Sequence, residues 1–359
     1  MASNHMVHMN HGDGETSYIC PNQLQNAQQN RMKPLIEAAI GDLCGSSGTS
    51  FPGKMAITDL GCSSGPNALT LVSTAVEAIM SHCLQFQHPP PEVSVLLNDL
   101  PHNDFSMVVK SLVTLRQSNN KSVFMTGVTP GTFYERLYTS DSMHLILSSN
   151  SLHWLSKAPE DLTRNHIPAY DMDQHARHER LPIVRKAYAR QFRKDFTLFL
   201  KLRAKELVPG GRMVLSLVGR CSDVIASNFF HIWETAAQIL SVMASEGVIA
   251  MEKFDSFYIP MYGPSAEELK EIIEEEGSFS IRDMRVYDPT ADMDRALFTP
   301  SWLAKQKRAI FEPIIVEHFG AIMDEFVRVM ERRLSLEGGM QDDHARTSRA
   351  VLAVSLAKA

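Results

Sequence analysis

Residues 55–67, MAITDLGCSSGPN, constrain the fold more than any other stretch of this 359-residue chain. An apolar run ends in an acid, Asp59, and turns at once into a loop bracketed by Gly61 and Gly65. Pro66 follows, and its fixed φ and missing N–H suit the first position of a helix running through residues 68–78. Strand, tight turn and helix in that order belong to an open α/β sheet, where ligands bind at the carboxyl ends of the strands and glycine lets the backbone approach them. The glycines are spaced GxxxG rather than GxGxxG, so a plain structural turn competes with a ligand loop. Residues 93–99, VSVLLND, weigh towards the ligand loop: a second apolar run ends in an acid, Asp99, where a carboxylate commonly takes a ribose diol.

Strand-like runs at residues 55–60, 93–97, 123–125, 143–147 and 213–218 are separated by helical stretches, the βαβ rhythm of a parallel sheet. Residues 191–207 read as an amphipathic helix with Phe192, Phe196, Phe199 and Leu200 on one stripe, ended by Pro209, Gly210 and Gly211 before the next strand. Further on, residues 257–261 read as a strand, Ser265 to Glu268 as a capping box opening a helix to Glu276, and residues 279–287 and 351–356 as two more strands. Helical insertions near residues 223–246 and 300–336 have no place inside the sheet and are read as a cap over the strand ends. Residues 1–20 alone read as a loose polar leader.

Composition excludes several classes. The net charge is −6 with no basic block, which argues against nucleic acid and against an anionic membrane surface, and favours a small-molecule ligand. No apolar run is read as a membrane span and no hydrophobic signal core opens the chain, so the expectation is a cytoplasmic protein. Five widely spaced cysteines without a CxxC pair suggest neither a disulfide framework nor a zinc knuckle. His175 and His178 lie in DMDQHARHER, residues 171–180, which lacks an apolar period and is expected to be a solvated loop rather than a metal site.

Six segments in order resemble the plant SABATH family of S-adenosylmethionine-dependent carboxyl methyltransferases. They are GDGETSY at 12–18 followed by Gln25, DLGCSSGPN at 59–67, NDLPHNDF at 98–105, PGTFY at 130–134, SSNSLHW at 148–154 and PGGRMV at 209–214. The resemblance covers nearly the whole chain. It implies an α/β fold, a Rossmann-like class I methyltransferase sheet with an interleaved helical cap. The implied parts are an N-terminal lid at 1–30, a core at 50–220 with 251–290 and 346–359, and a cap at 221–250 and 291–345. It further implies that Tyr18, Asp59, Cys62, Asn67, Asp99, Leu100, Thr132 and Phe133 surround S-adenosylmethionine. Gln25 and Trp154 are implied to grip the substrate carboxylate as the catalytic pair, with His153, Ile232 and Trp233 around the substrate. A homodimer is implied as well.

The residue types suit that chemistry. An indole N–H can only donate and a carboxylate can only accept, and a substrate carboxyl is already ionised at neutral pH, so no general base is needed. In-line transfer then depends on proximity, orientation and exclusion of water. Some members carry a magnesium site matched here by Asn165, Asp255 and the Phe257 carbonyl, but its fourth position is Tyr258, and a phenol is a poor magnesium ligand. Other departures are MNHG at 9–12, Pro21 and Asn22 after the tyrosine motif, Thr132 for a frequent serine, and Asn150 where tyrosine is common. Loss of that ring either widens the pocket floor or is filled by another side chain.

The expected activity is methyl esterification of a small carboxylic acid of benzoate, salicylate or anthranilate type, with jasmonate or another hormone or terpenoid acid as the alternative. A nicotinamide-dependent oxidoreductase would want GxGxxG after the first strand. A non-catalytic hormone-binding module is the remaining reading.

Overall fold

The computed structural model describes residues 22–45, 52–119, 122–220, 233–289, 298–336 and 349–359. Helix α1 (Asn22–Gly45) precedes β1 (Lys54–Leu60), a 3-10 turn (Pro66–Leu69), α2 (Thr70–Phe86), β2 (Glu92–Asp99), α3 (Ser106–Ser118), β3 (Val123–Pro130) and β4 (Met143–Ser149). Then follow α4 (Glu160–Arg164), α5 (Gln174–Glu206), β5 (Leu207–Arg220), α6 (Glu234–Ser245), α7 (Met251–Asp255) and α8 (Ala266–Glu276). The chain continues through β6 (Phe279–Tyr287), α9 (Pro300–Phe319), α10 (Met323–Leu336) and β7 (Arg349–Lys358).

The strands form one sheet in the order β3-β2-β1-β4-β5-β7-β6. β1 to β5 run parallel, whereas β7 inserts antiparallel between β5 and β6. Helices cover both faces, which is why β1 and β4 read as nearly continuous apolar runs instead of alternating ones. On one face α1 lays Met32, Leu35, Ile36, Ala39 and Ile40 into a core shared with Leu71, Val72, Ala75, Val76 and Ile79 of α2. On the other, Phe192, Phe196, Phe199 and Leu200 of α5 belong to a core that also holds Leu240 of α6, Ile273 of α8, Phe311 of α9 and Phe326 of α10. Each fully buried side chain of this kind contributes roughly 1.5–3 kcal/mol.

Pro66 does open a helix, and Ser265 with Glu268 does form a reciprocal capping box. Several local expectations needed correction. Residues 174–180 belong to the first turns of a 33-residue α5 that continues through Pro182, because Asp173 caps it by accepting from the Ala176 N–H at 2.8 Å. His175 and His178 are therefore helical, not looped. Residues 257–261 form no strand; Met261 makes only an isolated bridge to Trp154. The Pro-Gly-Gly segment at 209–211 lies within β5, where the pairing register with β4 shifts. The stretch Asn67–Phe86 is long and apolar enough to cross a membrane, which the sequence reading overlooked. Its buried face packs on the sheet as a core helix does.

Candidate active site

In this sheet the chain runs from β1 outward to β2 and β3, and from β4 outward the other way, so β1 and β4 flank a topological switch point. The loop after β1 is built there. Gly61 turns at φ 80°, and a Cβ on it would overlap the Ser151 hydroxyl. The Gly61 and Cys62 N–H groups both donate to the Asn98 carbonyl at 2.9 Å. Asn98 is itself buried, and its Nδ2 donates to the carbonyls of Thr129 at 2.7 Å and Gly131 at 2.9 Å. Asn98, through its carbonyl and its side-chain amide, thus ties the ends of three strands together.

Two acids face this crevice. Asp99 accepts from the Ser63 N–H at 2.6 Å and the Leu100 N–H at 2.7 Å, which orients its carboxylate. Asp59 is buried, and its Oδ1 has no partner. Burial first, and then the charge of Asp99, push its pKa up to about 8. An orphaned buried carboxyl beside a second carboxylate favours a cationic ligand, because a positive charge relieves both penalties. Cys62 is unsuited to nucleophilic work: burial, then Asp99 and Asp59, raise its thiol well above the ordinary range, and its Sγ donates to the Ser63 carbonyl at 3.3 Å.

The opposite wall is the loop after β3. Thr132 Oγ1 accepts from the Tyr134 N–H at 3.3 Å, and Phe133 stands edge-on to Tyr134 and Phe199, with ring centroids 4.8 and 6.2 Å away. Arg203 of α5 holds this loop by donating to the carbonyls of Phe133 and Glu135, each at 2.8 Å. Glu206 accepts from the Leu137 N–H at 2.8 Å and the Tyr138 N–H at 3.2 Å. Neither Arg203 nor Glu206 was marked by the sequence. Both sit on the buried stripe of α5, where the helical period leads one to expect apolar residues.

The end of β4 carries SSNSLHW, and its serines explain that run. Ser148 Oγ donates to the Leu60 carbonyl at 2.8 Å and Ser151 Oγ to the Gly61 carbonyl at 3.2 Å, stitching the segment to the loop after β1. Trp154 is fixed through its backbone: its carbonyl accepts from the Tyr134 hydroxyl at 2.7 Å, and two residues on Ser156 is held by Asp195 of α5. The Trp154 indole N–H makes no hydrogen bond with the described residues. Gln25 of α1 accepts from Asn67 Nδ2 at 3.3 Å, which leaves its own NH₂ group uncommitted among those residues. By contrast Trp233 has spent its N–H on the Met261 carbonyl at 3.2 Å and packs against Tyr188, so it offers a pocket only an apolar surface. His153 is buried, which lowers its pKa to about 4, so its ring is neutral at pH 7, and its Nδ1 is orphaned.

Tyr18 and Ile232 lie outside the described residues. Asn165 is exposed, and its Nδ2 donates to the Asp161 carbonyl at 2.7 Å; the Tyr258 hydroxyl donates to the Ile167 carbonyl at 3.0 Å. Burial and Asp255 raise the Tyr258 pKa, so that oxygen stays a phenol. Asp255 is then the one carboxylate in the set, and no group of three His, Cys, Asp or Glu side chains suited to a metal occurs among the described residues. One carboxylate beside a phenol is a weak set for magnesium, which is usually held by one or two carboxylates together with waters.

Comparison with known proteins gives the family and the fold. The chain is 35% identical to anthranilate O-methyltransferase 3 of Zea mays over 98% of this chain and 97% of that protein. It is 39% identical to jasmonate O-methyltransferase of Arabidopsis thaliana over 89% and 91%. The fold superposes on a loganic acid methyltransferase bound to S-adenosylhomocysteine with a TM-score of 0.82, at 28% identity, covering 98% of each chain. Residues 4–359 match the family described as SAM dependent carboxyl methyltransferase, and the chain belongs to that family, the SABATH enzymes.

Proposed function

We propose that the chain forms the methyl ester of a small aromatic acid of anthranilate, salicylate or benzoate type, with Gln25 and Trp154 gripping the carboxylate. The observation that carries this reading is the pair of donors, the Trp154 indole N–H and the Gln25 NH₂, that make no hydrogen bond with the described residues. Asp59, Cys62, Asn67, Asp99, Leu100, Thr132 and Phe133 are assigned to the methyl donor. Asp59 supplies negative charge, Asp99 a fixed ribose acceptor, and Phe133 an aromatic wall.

S-adenosylmethionine supplies a methyl group on a cationic sulfur. A carboxylate lone pair forms the new O–CH₃ bond as the S–CH₃ bond breaks, and its electron pair neutralises the sulfur. Two opposite charges disappear, so a dry site lowers the barrier. Two fixed donors hold the oxygen in line without adding a competing charge, since His153 is neutral. Magnesium enters no step: Asn165, Asp255 and the Phe257 carbonyl are a weak set beside Tyr258, and a chelator should leave turnover unchanged. The homodimer is carried over from the resemblance alone, and a monomer mass by light scattering would remove it.

A jasmonate-type acid is the second reading, favoured by the 39% identity to the Arabidopsis enzyme. A mass-spectrometric screen for methyl esters across aromatic, jasmonate-type and terpenoid acids tests both. Binding of an acid without any ester formed would instead support a hormone-binding module, and binding of NADH in place of S-adenosylmethionine would sink the assignment.

A further inference from the structure

α1 carries a second inward glutamine that no motif marks. Gln28 follows Gln25 by one turn and is 5% exposed, and its Oε1 accepts from Asn150 Nδ2 at 2.5 Å. Asn150 stands where tyrosine is common in the family resemblance, in the segment assigned above to the acid, and at that position its amide is met by the Gln28 side chain from α1. The amide pair is bracketed by the carboxylate grip, with Gln25 three residues before Gln28 on the same helix face and Trp154 four residues after Asn150.

Asn150 is held firmly. Its backbone is left-handed at φ 55°, a conformation asparagine adopts more readily than most residues, and its N–H donates to the Ser216 carbonyl at 2.9 Å. Its Nδ2 meets two oxygens, Gln28 Oε1 and, at 3.3 Å, Ser149 Oγ. The remaining end of the amide, Oδ1, is buried and has no partner. A buried acceptor left unpaired is costly unless a ligand brings a donor to it.

We propose that Gln28 and Asn150 are a specificity-determining pair. Gln28 positions the Asn150 amide so that Oδ1 accepts from an N–H or O–H group next to the substrate carboxylate, and the pocket thereby selects ortho-amino or ortho-hydroxy aromatic acids over acids lacking that donor. This rests on the acid-binding reading given above, and narrows it.

The test is calorimetry of 2-aminobenzoate, 2-hydroxybenzoate and benzoate on the full chain saturated with S-adenosylhomocysteine, which reads acid binding independently of methyl transfer. The two ortho-substituted acids should bind about tenfold more tightly than benzoate. Asn150→Gly, which tolerates the left-handed backbone, should bring the ratio to within about twofold by weakening only the ortho-substituted acids. Asn150→Asp keeps an acceptor and should keep the preference, because the Gln28 amide can turn to donate. Gln28→Leu should reduce the preference while leaving benzoate affinity in place. Equal affinity for all three acids in the unaltered protein overturns the proposal, whatever the variants do. So does a preference that survives Asn150→Gly, or failure of every acid to bind. If the ortho preference is found but S-adenosylmethionine yields no ester, the pair stands and the methyl-transfer reading falls.

Discussion

Arg203 and Glu206 form an ion pair with no side-chain exposure at the end of α5, Nε to Oε2 at 2.8 Å and Nη2 to Oε1 at 2.9 Å, and between them they hold four backbone groups of residues 133–138. The first contact is an ion pair without good hydrogen-bond alignment, so the directional work is done by Nη2 and by the backbone partners. The pair connects the apolar face of the longest helix to the loop that carries Thr132 and Phe133.

Glu206→Gln leaves a buried guanidinium without its counter-charge, which typically costs about 3–5 kcal/mol. Thermal unfolding should show that loss. Calorimetry should show weaker binding of S-adenosylhomocysteine, with the KM for the acid changing less than the KM for the methyl donor. Equal increases in both constants would mean that the pair supports the whole site and not the loop after β3.

Trp154→Phe removes one N–H donor and keeps the ring. A hydrogen bond to a charged acceptor is worth about 1.5–3 kcal/mol, so kcat/KM for the acid should fall by roughly ten- to a hundredfold. Binding of S-adenosylhomocysteine should be untouched. Unchanged transfer efficiency would remove Trp154 from the carboxylate grip.

Asp59 and His153 give opposite pH dependences. The pKa of Asp59 rises from 3.8 to about 8 on folding, so the folded chain holds that proton more tightly and loses stability as pH climbs from 3.8 through about 8. The pKa of His153 falls from 6.5 to about 4, so its cost appears as pH drops from 6.5 through 4. Between these values the two effects offset; above pH 6.5, of the two, Asp59 alone still titrates. The ligand-free protein should lose about 1.4 kcal/mol per pH unit between roughly pH 6.5 and 8 through this group, a slope that Asp59→Asn removes. Because a cationic donor favours the ionised form, its binding at neutral pH should release close to one proton. Calorimetry in buffers of different ionisation enthalpy measures this, and no release would place the cation elsewhere.

Gly61→Ala should abolish binding of the methyl donor. The added Cβ meets Ser151 Oγ, and φ 80° disfavours a side chain. A double variant with Ser151→Gly removes both close atoms, the Ser151 Oγ and Cβ, and so relieves only the overlap; recovery of binding in it would show that the backbone angle matters less than the close approach.

The loop after β1 and the helix starts were legible because their chemistry is local. An acid at the end of an apolar run, a glycine that must turn, a proline that opens a helix and a serine–glutamate capping box each act within a few residues, and the structure places Asp59, Asp99, Gly61, Pro66 and Ser265 accordingly. Strand rhythm likewise survives in sequence, since strands buried on both faces are continuously apolar.

Tertiary structure decided what depends on distant partners. β7 takes an interior place between β5 and β6, although it is the last strand in sequence and was read as a short closing strand. Residues 126–130 extend β3 despite a glycine and a terminal proline, because pairing with β2 supplies their hydrogen bonds. Asp195, Arg203 and Glu206 look like surface charges until the helix is docked and loops bring backbone groups to them. Gln28 and Asn150 are 122 positions apart, and nothing in either segment announces the other. The fold class and the glycine loop after β1 follow from local sequence signals, because the residues that form them answer to their immediate neighbours. Which side chains meet across the strand ends was decided only by folding, because burial and long-range pairing are properties of the packed chain.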